Sequence, residues 1–143
     1  MKSYLASIEI KFIVQATEDE DKILNRISEV FRIPIEMFEK STLDGHFGNP
    51  IKFFRFHISG KNADNIANGM ANIFEDGWKK MLQFELINNI DKHGSLFLRI
   101  DKQSFFKDKL TQSPIDAVRV KMKPRFKIPI PKMIIMFRTL LTI

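Results

Sequence analysis

Apolar and polar residues alternate with a period of two in several stretches of this chain and switch to a helical period between them. Ala6, Ile8, Ile10, Phe12 and Val14 alternate with Ser7, Glu9, Lys11 and Gln15, which predicts a strand over residues 3–15 with one face in the core. Thr17 with Glu20 three residues on has the form of a capping box, and Ile23, Leu24, Ile27, Val30 and Phe31 follow at helical spacing. A helix over 18–31 is therefore expected, ending before Pro34. Residues 35–43 read weakly as a second strand and 51–58 as a third, aromatic-rich one, pairing as a hairpin around a loop dense in turn formers. From Asn62 to Ile90 the period is helical again. Gly77 interrupts it, so two helices meeting near Asp76-Gly77 are expected, with Trp78 as a core anchor and Gly94 as a C′ residue. Leu96–Ile100 predicts a fourth strand, residues 104–110 a short helical turn with Phe105 or Phe106 inward, and residues 116–123 a last strand. Pro124 lacks a backbone donor and should weaken pairing there.

Charge changes that picture at the C-terminal end. Residues 94–143 carry 11 Lys and Arg against 3 Asp, a net +8, whereas residues 1–93 carry 12 basic and 14 acidic residues. A near-neutral body with a strongly basic end points to a polyanion as partner. The signal concentrates where Val118, Val120 and Met122 alternate with Arg119, Lys121 and Lys123, and Arg125 extends the row. In a strand these cations stand ~6.6 Å apart on the face opposite the core. Such a pitch can track a nucleic-acid backbone; the competing reading is an edge strand charged against aggregation.

Other chemistry finds less support. With no Cys there is no disulfide and no thiolate metal site. His46, His57 and His93 lack the spacing of a zinc site, so no metal and no cofactor is expected. The first residues lack the apolar core of a signal peptide, and a cytoplasmic setting fits. The apolar run at 133–143 is too short for a membrane span and contains Arg138, so a short helix docking on the domain or on another chain is expected. No phosphate-binding glycine loop, nucleophile elbow or spaced pair of catalytic carboxylates appears, and no enzyme is predicted.

Four stretches together resemble the archaeal RNA-binding family described as a predicted exosome subunit. They are Gln15–Glu20 after the first strand, Leu43-Asp-Gly-His-Phe-Gly-Asn-Pro-Ile51, Leu96–Gln103 and Asp116–Lys123. The resemblance covers roughly residues 3–127, and its second stretch is the most specific. It implies a single α+β domain similar to the ribosomal protein that holds 5S RNA, with an antiparallel sheet of about five strands and helices on one face. It also implies RNA binding without catalysis. The chain departs from the family in carrying Gln15 where a His is usual, and in its apolar tail after Lys127. The division read from this is a domain over 1–127 and a tail or short helix over 128–143.

The candidate RNA-binding residues are Arg119, Lys121, Lys123 and Arg125 on the last strand, Arg99, Lys102 and Gln103 at the end of the fourth, and His46, Phe47 and Asn49 in the glycine-rich loop. Arg offers a bidentate fork to phosphates and base edges, Phe47 a stacking surface, and Asn49 a donor with an acceptor. The loop has an alternative structural reading, with Phe47 plugging the core and Gly48 supplying a positive φ. Two other functions stay open at this level. One is a protein partner or homodimer held through residues 128–143. The other is a metal-dependent nuclease assembled from Asp44, Asp91 and Asp101.

Overall fold

The alternation at the start of the chain becomes β1 (Leu5–Val14), the middle strand of a five-stranded sheet. The protein is seen here as a computed structural model that describes residues 3–45 and 48–143. The remaining strands are β2 (Glu39–Asp44), β3 (Pro50–Ser59), β4 (Leu96–Asp101) and β5 (Ala117–Pro124), and the helices are α1 (Glu20–Phe31), α2 (Lys61–Ala71), α3 (Asp76–Glu85) and α4 (Ile130–Leu141). The sheet order is β2-β3-β1-β5-β4, with every neighbouring pair antiparallel. The fold is α+β, with the helices packed on one face.

That face holds a continuous core. Ile8, Ile10, Phe12 and Val14 from β1, Phe54 and Phe56 from β3, Leu96, Leu98 and Ile100 from β4, and Val118, Val120 and Met122 from β5 are all buried. Aromatic packing ties the sheet centre together. The Phe12 ring stacks on Phe54 at 5.0 Å and meets Phe38 edge-on at 5.8 Å. Trp78 is buried against Phe74 at 4.2 Å between centroids, as the anchor expected of it.

Two local expectations are corrected. In β1 the buried residue at the N-terminal end is Leu5, not Ala6, because the register against β5 shifts between Leu5 and Ser7. A bulge inserts a residue and exchanges the faces. It is held by Asp64 of α2, whose buried carboxylate accepts the Tyr4 and Leu5 N–H groups at 2.8 and 2.9 Å. Pro124 lies opposite Leu5 at this shift, so the missing donor coincides with the irregular pairing. The cap of α1 is Asp19, which accepts the Lys22 N–H at 3.2 Å, and not Thr17. Glu18 instead folds back to accept the Gln15 N–H at 2.8 Å.

The end of α3 also comes earlier than expected. A 3-10 turn over Leu86–Asn89 follows Glu85, and Gly94 closes a separate turn through its N–H to Asp91 O at 3.0 Å. Gly94 has φ +83, a conformation glycine takes without strain, and the Met133 methyl of α4 packs against it. The apolar tail is thus α4, begun by Pro131 within its first turn and docked on its own domain through Met133, Phe137, Leu140 and Leu141. Asn68 of α2 donates to Leu140 O at 3.0 Å, and Arg138 hydrogen-bonds Gln83 O. Among the described residues no helix is long and apolar enough to cross a membrane.

Candidate nucleic-acid interface

The face of the sheet away from the helices is uncovered, and the side chains left there are those that alternate with the core. On β5 they are Arg119, Lys121 and Lys123. Since β5 lies between β1 and β4, it is not an edge, and its cations do not serve to block edge pairing.

Register shows what the linear sequence conceals. Arg55 of β3 pairs with Lys11 of β1, Lys11 with Arg119 of β5, and Arg119 with Arg99 of β4. Four cations therefore stand abreast across four neighbouring strands, and the row along β5 crosses this transverse row at Arg119. Like charges directly opposite one another cost stability, by tenths to about 1 kcal/mol per pair. Part of this row is compensated. Glu9 bridges Arg55 at 2.7 Å and Lys11 at 3.3 Å, and Glu39 lies 3.6 Å from Arg55. Partial burial raises the Glu9 carboxyl, and the Arg55 and Lys11 hydrogen bonds and charges outweigh this, holding it below the ordinary carboxylate range. The other part is not compensated. Among the described residues no carboxylate lies within ion-pair distance of Arg119, Lys121, Lys123 or Arg99.

Aromatic surface is set among these charges. Phe97 of β4 is 42% exposed, and the Lys121 ammonium stands 5.5 Å from its ring centroid. Ile13, Phe53 and Ala117 line a hollow of about 270 Å³ with Lys11 and Arg119 beside them, and Asp116 at its margin is paired with Lys102 at 2.8 Å. The apolar floor suits a flat ring and the flanking cations suit phosphate.

The other sequence candidates distribute as follows. Arg125 continues the outward parity of β5 just past its end. Its N–H donates to Tyr4 O at 2.9 Å, and its guanidinium lies over Phe126 and reaches Ser3 Oγ at 3.4 Å. Lys102 is not a surface cation. It is 1% exposed, and its ammonium donates to Ile13 O, Glu18 Oε1 and Asp116 Oδ1 at 2.8, 2.7 and 2.8 Å. The strand parity that turns Asp101 outward turns Lys102 inward, where three acceptors replace its water. Gln103 is exposed on the 3-10 turn that follows β4, with its N–H held by Asp101. Asn49 is exposed at the β2–β3 hairpin tip, six ladder positions beyond the level of Arg119, roughly 20 Å along the strand direction. His46 and Phe47 lie outside the described residues.

Lys11, Arg55, Phe53 and Phe97 belong to this face but not to the sequence candidates. Their alternation with core residues is a signal that places each on the outer face of its strand. Which strands are neighbours, and in what register, decides that they converge. The three aspartates of the nuclease reading do not come together. Asp91 and Asp101 accept turn N–H groups at 2.9 and 3.2 Å, and Asp44 sits at the hairpin end. Among the described residues no three His, Asp or Glu side chains are grouped to hold a metal ion.

The chain belongs to the family described as RNA binding, whose model matches residues 7–124. It is 37% identical over 108 residues to an uncharacterized protein of Methanocaldococcus jannaschii, covering 71% of this chain but only 66%, just under two thirds, of that protein. It is 26% identical over 125 residues to a protein of Pyrococcus abyssi named as an RNA-binding protein, covering 82% of this chain and 81% of the other. Among solved structures, a DUF54 protein from Methanothermobacter thermautotrophicus superposes with TM-score 0.72 at 25% identity, over 96% of this chain and 98% of that one. A DUF54-type protein from Sulfolobus solfataricus shares the fold, with TM-score 0.77 at 21% identity over 95% and 97% of the two chains.

Proposed function

We propose, from this family membership and the charge on the open sheet face, that the chain is a non-catalytic RNA-binding module. The RNA backbone lies on that face, against Arg119, Lys121 and Lys123 along β5 and against Lys11, Arg55 and Arg99 across it, with Arg125 extending the surface past β5. The observation that carries the reading is the cross of cations centred on Arg119, in which the β5 arm has no carboxylate partner among the described residues. Cations without a carboxylate partner neutralise phosphates and displace the counterions condensed on the RNA, and that release supplies affinity. Stacking on Phe97 and on the hollow at Ile13 and Phe53 favours single-stranded RNA, whose bases are free to leave the helix. Lys102 has no part in contact, because its ammonium is enclosed. The exosome link implied by the resemblance belongs to this proposal too, as a place for the module beside an RNA-processing assembly.

Association through residues 128–143 is the weaker reading. The apolar side of α4 is spent on its own domain, and Ile135, 61% exposed, is the main apolar side chain it leaves outside.

The test is fluorescence anisotropy with a labelled single-stranded RNA over a salt series. It compares the native chain with an Arg119→Glu/Lys121→Glu/Lys123→Glu variant whose fold is verified by circular dichroism. Affinity that falls steeply with salt and is lost in the variant supports the reading. Equal binding by both proteins, or none at low salt, overturns it.

A further inference from the structure

Beyond β4 the open face turns a corner into a second hollow, of about 670 Å³, within the range of ligand pockets. Phe97 and Arg99 form its wall on the sheet side, Trp78 lies deeper, and Asn88 and Gln112 stand at its margin. Phe97 is shared. Its ring carries the Lys121 ammonium, so the hollow is continuous with the basic surface. Asn89 donates to Phe97 O at 3.0 Å and the Ser113 hydroxyl bonds the Ile115 backbone, whereas Arg99, Gln112 and Asn88 keep capacity for a ligand. Arg99 spends one nitrogen on Pro114 O at 3.2 Å, which fixes the guanidinium and leaves other N–H donors free. The Gln112 amide makes only a 3.8 Å contact with Met81 Sδ, and the exposed Asn88 amide has no hydrogen bond among the described residues. The carboxylate on the wall, Asp91, is turned into its own loop and accepts the His93 and Ser95 N–H groups, each at 2.9 Å.

We propose that this hollow receives one unstacked purine base of the bound RNA. An arginine and two amides are the side chains whose donors and acceptors match a purine edge bidentately, and Phe97 supplies the apolar ring to pack on it. At the edge where a purine carries N7, a pyrimidine has only C5–H and keeps a single hydrogen-bonding group, so it cannot be held there bidentately. The base enters from the phosphates held on Lys121 and Arg119, so the proposal rests on the RNA-binding reading and adds a base preference to it.

Trp78 is the chain's one tryptophan and lines the hollow, so its emission reports on occupancy. The experiment titrates the full chain with a uridine octamer and with the same octamer carrying one central adenosine or guanosine, following anisotropy and Trp78 emission together. The purine-bearing octamers should bind about tenfold tighter and alone change the emission saturably. An Asn88→Ala/Gln112→Ala variant, altered only at exposed side chains, should bind the uridine octamer as the native chain does and lose the purine advantage. Alike affinities and unchanged emission, with salt-sensitive binding intact, overturn the base pocket while leaving the RNA surface standing. A variant that keeps the purine preference also overturns it. No binding of any octamer overturns the RNA reading and this proposal with it.

Discussion

The two faces of this sheet are made by the same five strands and obey opposite rules. On the covered face, neighbours across the strands are apolar and complementary, as where Phe12 stacks on Phe54 and Ile10 lies opposite both Phe56 and Val120. On the open face, Lys11, Arg119 and Arg99 stand opposite one another, an arrangement that costs stability. The first face accounts for why the chain folds. The second is not explained by folding, and the proposal that RNA lies on it supplies the charge that would relieve it. Lysine shows the contrast within one residue type: Lys102 belongs to the structure and Lys121 to the surface.

The largest effect should come from breaking the covered face. Phe12→Ala removes a stacked, buried ring and should cost about 3–5 kcal/mol in chemical denaturation. RNA affinity of the folded fraction should stay close to native. The converse change is Arg119→Glu/Lys121→Glu/Lys123→Glu. It should lower RNA affinity at least about a hundredfold at low salt, while the midpoint of thermal unfolding stays the same or rises. A marked fall in that midpoint would show that these side chains serve folding.

The two lysines sharpen the comparison. Lys102→Ala leaves three acceptors without their donor, and because Glu18 and Asp116 remain partly hydrated the loss should be about 2–3 kcal/mol. Lys121→Ala should change stability by less than about 0.5 kcal/mol and weaken RNA binding severalfold. Parallel denaturation curves and titrations check both, and interchanged outcomes would refute the assignment.

The smallest effect concerns Glu9. Its carboxyl is held below the ordinary range by Arg55 and Lys11 despite the opposing effect of burial. Its contribution to stability is therefore present above the unfolded carboxylate value and is lost as pH falls through the folded one. Glu9→Gln should flatten that part of the pH–stability curve. It also frees Lys11 and leaves Arg55 only its longer contact with Glu39, and should tighten RNA binding about threefold.

Much of this was legible in the sequence. Alternation marks β1 and β5, aromatic and branched apolar runs mark β3 and β4, and the interrupted helical period marks α2 and α3. The resemblance supplied their arrangement as an antiparallel sheet. The cap of α1 is ambiguous in the sequence because Asp19 and Thr17 are both competent cap residues two positions apart, and only the turn at Gln15–Glu18 selects Asp19. The alternation puts Ala6 inside because a bulge held from a distant helix leaves no local mark. The cations of β5 were visible as a row, whereas the transverse row depends on the register of four strands. The burial of Lys102 is hidden from the sequence for a related reason. Its three acceptors, Ile13, Glu18 and Asp116, come from distant parts of the chain, and nothing beside Lys102 announces them.

Lysine acetylation footprinting, with and without single-stranded RNA and read by mass spectrometry, tests most directly whether the open face holds the RNA. Lys11, Lys121 and Lys123 should be protected by RNA. Lys22 of α1, Lys80 of α3 and Lys132 of α4 should label equally in both states, and Lys102 should resist labelling throughout. Protection of the helix lysines, with Lys121 and Lys123 labelled as in the free protein, would contradict the account.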